Sequence, residues 1–515
     1  MAIGRTSAVA LLGMNGAIVH VEADISSNLP GFLLIGLPDA SLNEAKDRVR
    51  AAATNSGCDL PTRKITVNLS PAALPKHGAG FDLAIAIAVL AAAGSVSAAS
   101  VERVVHIGEL GLDGRLRPMN GILPSVLAAS RAGSGVVMVP AGNADEAALV
   151  PGMRVVAVAS LRDAAIWHGG EFDPLPADPI LRDAGLPSTP DHEPDLADVI
   201  GNDDAVEAMQ VAAAGGHHVF LLGPPGAGKT LLATRLPGLL PDLDAEAALE
   251  VSSIRSLAGL PVGTSLVTRP PIEAPHHTAT AAAIVGGGSG AIRPGAAARA
   301  SHGVLFLDEA PEFASAVLDA LRQPLESGLI TIHRANAVAH FPGRFQLVLA
   351  ANPCPCGQYG ANDMECTCAP NARRRYLARI SGPLLDRVDI QLRVSRITSA
   401  QLRVARDESA RPRLSTAMAR ERVIQARART RQRLAGTPWK LNSEVPGAWL
   451  RGPDVRLDVS TTRSIDRALE RGGLTMRGYD RVLRIGWTLA DIDGAERPTA
   501  DHIGRALYLR RAIAA

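Results

Sequence analysis

HHVFLLGPPGAGKTLLATRLP, residues 217–237, decides the fold of this chain. Val219 to Leu222 is a short apolar run of strand type, and Leu231 to Leu236 has helical character. Between them stands Gly223-Pro224-Pro225-Gly226-Ala227-Gly228-Lys229-Thr230. Strand, glycine-rich turn and helix in that order form the context in which this spacing cradles phosphates. Gly223, Gly226 and Gly228 let successive N–H groups turn toward one anion, and the helix N-terminus adds its positive end. Residues 223–231, closing with Leu231, are therefore predicted to bind a nucleoside triphosphate. Lys229 is placed to reach the β- and γ-phosphates, and the Thr230 hydroxyl to ligate Mg²⁺.

The partner of such a loop lies further on. Val304-Leu305-Phe306-Leu307 reads as a buried parallel strand, with Asp308 and Glu309 at its carboxyl end. That is where open α/β sheets place their ligands. Asp308 is predicted to hold Mg²⁺ through water, and Glu309 to polarise the attacking water. Phe345 to Ala351 forms a further buried strand ending at Asn352, placed to orient that water. Asn352 sits at what resembles the first sensor position of AAA+ ATPases. Leu384-Leu385-Asp386-Arg387 resembles the AAA+ segment that offers an arginine to the neighbouring subunit, making Arg387 the candidate finger; a helix-surface arginine is the plainer alternative.

A chain of 515 residues exceeds a single core. Its apolar share of 47 % is ample for globular packing. The longest apolar stretch, Leu83 to Gly94, is too short to span a bilayer, and the N-terminus lacks the pattern of a secretory signal, so a cytoplasmic protein without a membrane is expected. The net charge of +2 says little about nucleic acid, and 3 % aromatic residues argue against base stacking on an open sheet.

In the first third, Lys64 to Leu69 and Gly135 to Pro140 read as strands, Phe81 to Ala93 as a buried helix, and Ala144 to Leu149 as another helix. Val104 to Leu116 reads as a hairpin turning at Asp113-Gly114. Pro75-Lys76-His77-Gly78-Ala79-Gly80 resembles the nucleophile motif of Lon-type proteases, and Gly108-Glu109-Leu110 through Gly121-Ile122-Leu123 their catalytic-lysine segment. The matching positions hold Gly80 and Leu123, which supply neither nucleophile nor base. The resemblance thus implies a Lon-like, S5-like α/β domain lacking the catalytic dyad. Lys76 and His77 are expected on a surface loop, within reach of nucleic acid or simply solvated. Glu171 to Pro194, rich in Pro and Asp, reads as a linker. Asp195 to Gln210 is expected as the helix entering the next domain.

Further motifs name a family. Ala274-Pro275-His276-His277-Thr278, Ile284 to Gly288, Arg293-Pro294-Gly295, Leu321 to Glu326 and Asn352-Pro353-Cys354-Pro355-Cys356-Gly357 stand as they do in magnesium-chelatase-like AAA+ ATPases of the YifB/ComM type, which the chain resembles over nearly its whole length. The resemblance implies a P-loop AAA+ core with a helical lid and a ring, most simply a homo-hexamer, with ATP between subunits. It also implies a motor on single-stranded or branched DNA, with branch migration during recombination of incoming DNA as its work. The implied insertions are Gly286 to Gly295 and a pore-facing hairpin, Leu329 to Phe341, turning at Ala335-Asn336. Arg293, His333 and Arg334 on them are candidate phosphate contacts, though ordinary surface charge explains them equally. His276 and His277 lack a completing ligand set and read as structural or substrate-loop residues. Leu474 to Arg481 resembles the second sensor segment, so Arg477 is expected to reach the γ-phosphate. Rival readings are a chelatase motor acting on a protein partner, an ATP-dependent protease, which Gly80 and Leu123 oppose, and a nucleotide-gated scaffold.

Four of the five cysteines cluster as Cys354-x-Cys356 and Cys366-x-Cys368. Four thiolates suit tetrahedral Zn²⁺ in a structural role; unligated buried thiols and a redox-labile pair are the alternatives. Arg373 to Arg375 and Arg420 to Arg433 are arginine-dense, reading as a solvated helix surface or a contact with phosphates. The expected plan is residues 1–170, a linker over 171–194, the ATPase core over 195–396, and a helical part over 397–515.

Overall fold

The computed structural model describes residues 3–36, 42, 44–181, 194–288, 292–334, 337–359, 366–399, 401, 403 and 413–511. Residues 182–193 of the linker expected over 171–194, residues 289–291 of the first insertion and the Ala335-Asn336 turn lie outside them.

The chain opens with a seven-stranded mixed sheet. Strands β1 (Gly4–Leu12) and β2 (Asn15–Ser26) pair antiparallel from Gly4–Ala23 to Leu12–Asn15, which leaves Gly13 and Met14 as the turn. Along β2, Val19, Val21, Ala23 and Ile25 are buried, the period of two that a half-buried strand requires. With β3 (Gly31–Ile35), β4 (Lys64–Ser70), β5 (Val105–His106), β8 (Val136–Pro140) and β9 (Arg154–Val158) the sheet order is β3-β4-β2-β1-β5-β8-β9. Strands β6 (Glu109–Leu110) and β7 (Leu116–Arg117) form a separate antiparallel pair. The hairpin expected over Val104 to Leu116 is therefore smaller. Val105 and His106 leave it to pair in parallel with β1 and β8, where Val105 is buried and the buried His106 ring finds Thr6 Oγ1 at 2.7 Å and His168 Nε2 at 2.8 Å. Helix α1 (Asp82–Ala93) is buried from Asp82 to Ala91, as its unbroken apolar run predicts.

The second unit is a five-stranded, wholly parallel sheet. It comprises β10 (Val219–Leu222), β11 (Ile272–Glu273), β14 (Val304–Leu307), β17 (Gln346–Ala351) and β18 (Ile390–Arg393), in the order β11-β14-β17-β10-β18. Every residue of β10, β14 and β17 is buried, which is why these strands read as continuous apolar runs. Two small ribbons branch from this unit: β12 (Gly286–Gly287) with β13 (Arg293–Pro294), and β15 (Leu329–Arg334) with β16 (Ala337–Pro342). The first unit leans on the second. Helix α2 (Ile122–Arg131) meets the later helix over Ala245–Ala258, with Gly121 N–H donating to the Ser256 carbonyl at 3.0 Å, and Gly13 bridges His340 of β16.

Entry into the sheet is not one helix from Asp195. A short 3-10 turn (Leu196–Asp198) gives way to extended chain at Val199, Gly201 and Asn202 are left-handed at φ +65° and +54°, and only then does α3 (Asp203–Gly215) begin. Helix α4 (Lys229–Leu239) follows the glycine loop, and α5 (Ala245–Ala258) follows it. The chain finishes in helices α6 (Thr416–Arg433), α7 (Val459–Glu470), α8 (Met476–Asp493) and α9 (Ala500–Arg511). Residues Val211, Leu232, Val423, Val482 and Trp487 join α3, α4, α6 and α8 in one apolar core. No described helix is long and apolar enough to cross a membrane.

Two polar expectations are corrected. Lys76 is not a surface residue: it is 1 % exposed, and its ammonium donates to the carbonyls of Gly36, Pro71 and Leu74 at 2.8, 2.6 and 3.0 Å. Three donors meet three acceptors, so burial is tolerated and the ammonium is not presented at the surface. Several arginines of α6 are likewise tied into the fold. Arg427 caps the Ala213 carbonyl at 2.6 Å, Arg429 reaches the Asp491 carbonyl at 2.6 Å, and Arg433 pairs with Asp491. Burial, helped by Arg431 nearby, pulls Arg427 down to about 10.

Candidate active site at the carboxyl edge of the parallel sheet

Parallel register sets the site. Leu222 pairs with Ala351 and Leu307 with Leu349, so β10, β17 and β14 end side by side. Gly223, Asn352 and Asp308 are the next residues of those strands, and they meet at one edge although up to 129 positions separate them (352 minus 223). Gly226 and Gly228 have φ of +75° and +90° with open space where a Cβ would stand, so backbone conformation alone demands glycine there. Gly223 is held by contact instead, since a Cβ would lie 2.2 Å from the Val394 carbonyl oxygen.

Lys229 is 8 % exposed, and its ammonium donates to the carbonyls of Gly223 at 2.6 Å and Pro224 at 3.1 Å and to Asn352 Oδ1 at 3.0 Å. Burial lowers its pKa, opposed by the nearby carboxylates of Asp308 and Glu309. Thr230 Oγ1 donates to Asp308 Oδ2 at 2.7 Å, and the other oxygen of Asp308 accepts the Glu309 N–H at 2.9 Å. Glu309 itself sits at φ +51°, an uncommon conformation for a non-glycine residue and one met at functional sites. A hydroxyl and a carboxylate in contact at the mouth of a phosphate-type loop are the hard oxygen ligands that suit Mg²⁺. The residues present fit both the metal and a polyphosphate.

The structure thus brings together Lys229, Thr230, Asp308, Glu309 and Asn352. Arg387 and Arg477 stand apart from that cluster among the described residues. Arg387 pairs with Glu326 and donates to the Pro383 carbonyl, while Arg477 is 76 % exposed and lies 3.8 Å from Asp386. One participant was not legible as such. His277 Nδ1 lies 3.2 Å from Glu309 Oε2, with the His276 ring tilted against it by 34° at 4.1 Å between centroids. The sequence offered only a histidine pair without a ligand set; the carboxylate it meets lies 32 positions later (309 minus 277), in the turn that follows β14.

The four cysteine sulfurs all lie within 4.8 Å of one another. Cys354 Sγ stands 3.3 Å from Cys356 and 3.8 Å from Cys366, and Cys356 stands 3.8 Å from Cys366. Thiolates bound tetrahedrally at about 2.3 Å stand about 3.8 Å apart, so the cluster has the size of a four-sulfur metal site.

A phosphate loop facing an acidic pair across parallel strands defines a P-loop ATPase. Comparison with known proteins narrows this. The family model described as magnesium chelatase, subunit ChlI, matches residues 195–402; that described as subunit ChlI of Mg-chelatase matches 21–143, and its C-terminal model 413–510. An uncharacterised protein of Mycobacterium tuberculosis is 48 % identical over 512 residues, 99 % of each chain. Competence protein ComM of Haemophilus influenzae is 39 % identical over 505 residues, 98 % of this chain and 96 % of that one. The uncharacterised protein YifB of Escherichia coli is 40 % identical over 508 residues, covering 97 % and 96 %. A shorter likeness, 31 % over 156 residues, runs to a Lon protease of Mycolicibacterium smegmatis. The chain belongs to the magnesium-chelatase-like AAA+ ATPase family of the YifB/ComM type, whose members use ATP and Mg²⁺.

Proposed function

We propose that this protein is a ring-forming AAA+ motor that couples ATP hydrolysis to remodelling of branched or single-stranded DNA, as branch migration in recombination of incoming DNA. The observation that carries the ATPase part is the convergence of Lys229, Thr230, Asp308, Glu309 and Asn352 on one sheet edge. The DNA part is supported by the full-length likeness to a competence protein. Exposed Arg293, His333 and Arg334 on the two ribbons add to it as candidate phosphate contacts.

In this reading Lys229 leaves its carbonyl cage for the β- and γ-phosphates, a gain because phosphate oxygens carry full charge. Thr230 and Asp308 hold the metal, which when bound neutralises charge developing on the transferred phosphoryl group. Glu309 accepts a proton from the attacking water, and Asn352 orients that water. Arg387, which here pairs with Glu326 and the Pro383 carbonyl, serves the neighbouring subunit of a hexamer, and Arg477 swings in from the helical lid. Residues 1–170 form the Lon-like domain, proteolytically inert for want of a nucleophile at Gly80 and a base at Leu123. Residues 195–396 form the core and 397–515 the lid. The four cysteines hold structural Zn²⁺. A second reading, a motor acting on a protein partner as a chelatase subunit does, is supported by the chelatase family models.

The deciding experiment is steady-state ATP turnover with and without forked or four-way-junction DNA, with Lys229→Ala as the blank. Stimulation by branched DNA that vanishes in the variant supports the motor on DNA. Turnover indifferent to every DNA overturns it in favour of a protein partner.

A further inference from the structure

The cysteine cluster does not stand apart from the nucleotide site. Cys354 follows Asn352 by two residues, and Asn352 Oδ1 accepts from Lys229. The Gly357 N–H donates to the Cys354 carbonyl at 2.9 Å, turning the chain at φ +78°. That turn lies flat on the phosphate loop: a Cβ on Gly357 would stand 2.7 Å from Cγ and Cδ of Pro225. Arg396 ties the same two segments a second time, donating to the Pro225 carbonyl at 3.3 Å and to Gln358 Oε1 at 3.0 Å. Beyond it, the Arg373 guanidinium lies 3.9 Å above the Tyr359 ring.

We infer that Zn²⁺ bound by Cys354, Cys356, Cys366 and Cys368 acts as a clamp on the ATP site, fixing the segment that walls the phosphate loop and carries Asn352. The inference rests on the zinc reading above and extends it from a structural role to control of nucleotide binding. The physical argument is one of loop entropy. Residues 353–359 are held against Pro225 by one close packing contact and one bridging arginine. Four metal–sulfur bonds tie Cys354 and Cys356, within this stretch, to Cys366 and Cys368 beyond it, and remove the freedom that would let Gly357 lift from Pro225. With the metal gone, Asn352 and the loop wall lose their common anchor. The acceptor of Lys229 and the shape of the phosphate cradle then fluctuate together. Cys356 is exposed, so chelators and competing thiols have access to the metal.

The test uses the full-length protein. Metal content is measured by mass spectrometry, zinc is stripped with a thiol-directed mercurial and a chelator, and excess reagent is removed before ATP assays in Mg²⁺. About one zinc per chain is expected. The stripped protein should keep its far-ultraviolet circular dichroism. Its kcat/KM for ATP should fall on the order of 100-fold, the cost of displacing positioned groups by about an ångström, and recover with one equivalent of Zn²⁺. Gln358→Ala and Arg396→Ala spare the cysteines and should raise KM for ATP with zinc content unchanged. Failure to bind zinc at all overturns the metal reading itself. Zinc that binds stoichiometrically, with removal and both variants leaving ATP kinetics unchanged, overturns the clamp and leaves a purely structural metal.

Discussion

Asp389→Ala should detach the C-terminal helices from the parallel sheet. Asp389 precedes β18 and is 1 % exposed. Its carboxylate pairs with Arg481 of α8 and, at 3.3 Å, with Nδ1 of His217, whose Nε2 meets Thr488 Oγ1 of α8 at 2.8 Å. Arg510 of α9 adds a bond to the Asp389 carbonyl at 3.1 Å. Burial alone would push the carboxyl up, but Arg481 and His217 outweigh it and hold it well below the usual carboxylate range. Removing the carboxylate strands a guanidinium whose side chain is only 15 % exposed and a buried imidazole. Breaking one side of a buried pair costs about 3–5 kcal/mol. At an m-value of about 2 kcal/mol/M, that moves the urea midpoint of this unit by about 2 M.

Three of the four tryptophans, Trp439, Trp449 and Trp487, lie in or pack against the core of the C-terminal helices, so their emission in a Trp167→Phe background reports that unit. Because the folded pKa is depressed, the stabilisation is fully present above the unfolded value of about 3.9 and is lost as pH falls through the folded value. The gap between wild type and variant should therefore be full at pH 7 and narrow below about pH 3.9. The same helix carries Arg477, so KM for ATP should rise as well. Urea midpoints agreeing within about 0.5 M would refute the reasoning, for that is a small fraction of a lost buried pair.

Glu309→Gln should lower kcat roughly 100- to 10,000-fold while a fluorescent ATP analogue still binds, as expected for loss of a general base; unchanged turnover would remove Glu309 from the chemistry. His277→Ala should lower kcat about tenfold at constant KM by freeing the Glu309 side chain, with His277→Asn recovering most of it. A rise in kcat would instead mark that contact as a brake. Arg387→Ala should be inactive alone yet regain turnover when mixed with Lys229→Ala protein, since each lends the other its missing part; mixtures that stay silent would refute a finger acting between subunits. Lys76→Met should destabilise the first unit by about 1–3 kcal/mol for each carbonyl left without a partner, read by thermal denaturation. DNA affinity should not change, and a selective loss of DNA binding with unchanged stability would restore Lys76 to the surface.

Much of the site was legible because its parts are contiguous. A phosphate loop must be built from adjacent residues, so Gly223 to Thr230 announces itself in one line of sequence. A buried parallel strand is apolar throughout, so Val304 to Leu307 marks where Asp308 and Glu309 fall. The family likeness added whole-chain context that no local pattern supplies. Less legible were boundaries set by backbone conformation, such as the break at Gly201 and Asn202, and the transfer of Val105-His106 to the main sheet. Both depend on which neighbours are available, and periodicity does not encode that.

By itself, then, the sequence determined the chemistry available: the loop, the acidic pair, the asparagine after β17 and the four thiols. Only the tertiary structure decided how charged side chains are employed. Lys76 and Arg427 look like surface cations in one dimension, yet Lys76 is buried on the carbonyls of its own turn and of distant Gly36, and Arg427 is half-buried on the Ala213 carbonyl of α3. His277 becomes a neighbour of Glu309 because β11 and β14 run in parallel. The cysteine turn becomes a wall of the ATP site because Gly357 packs on Pro225. Electrostatics and packing act through space, and the spacing of residues along the chain does not fix which of them meet.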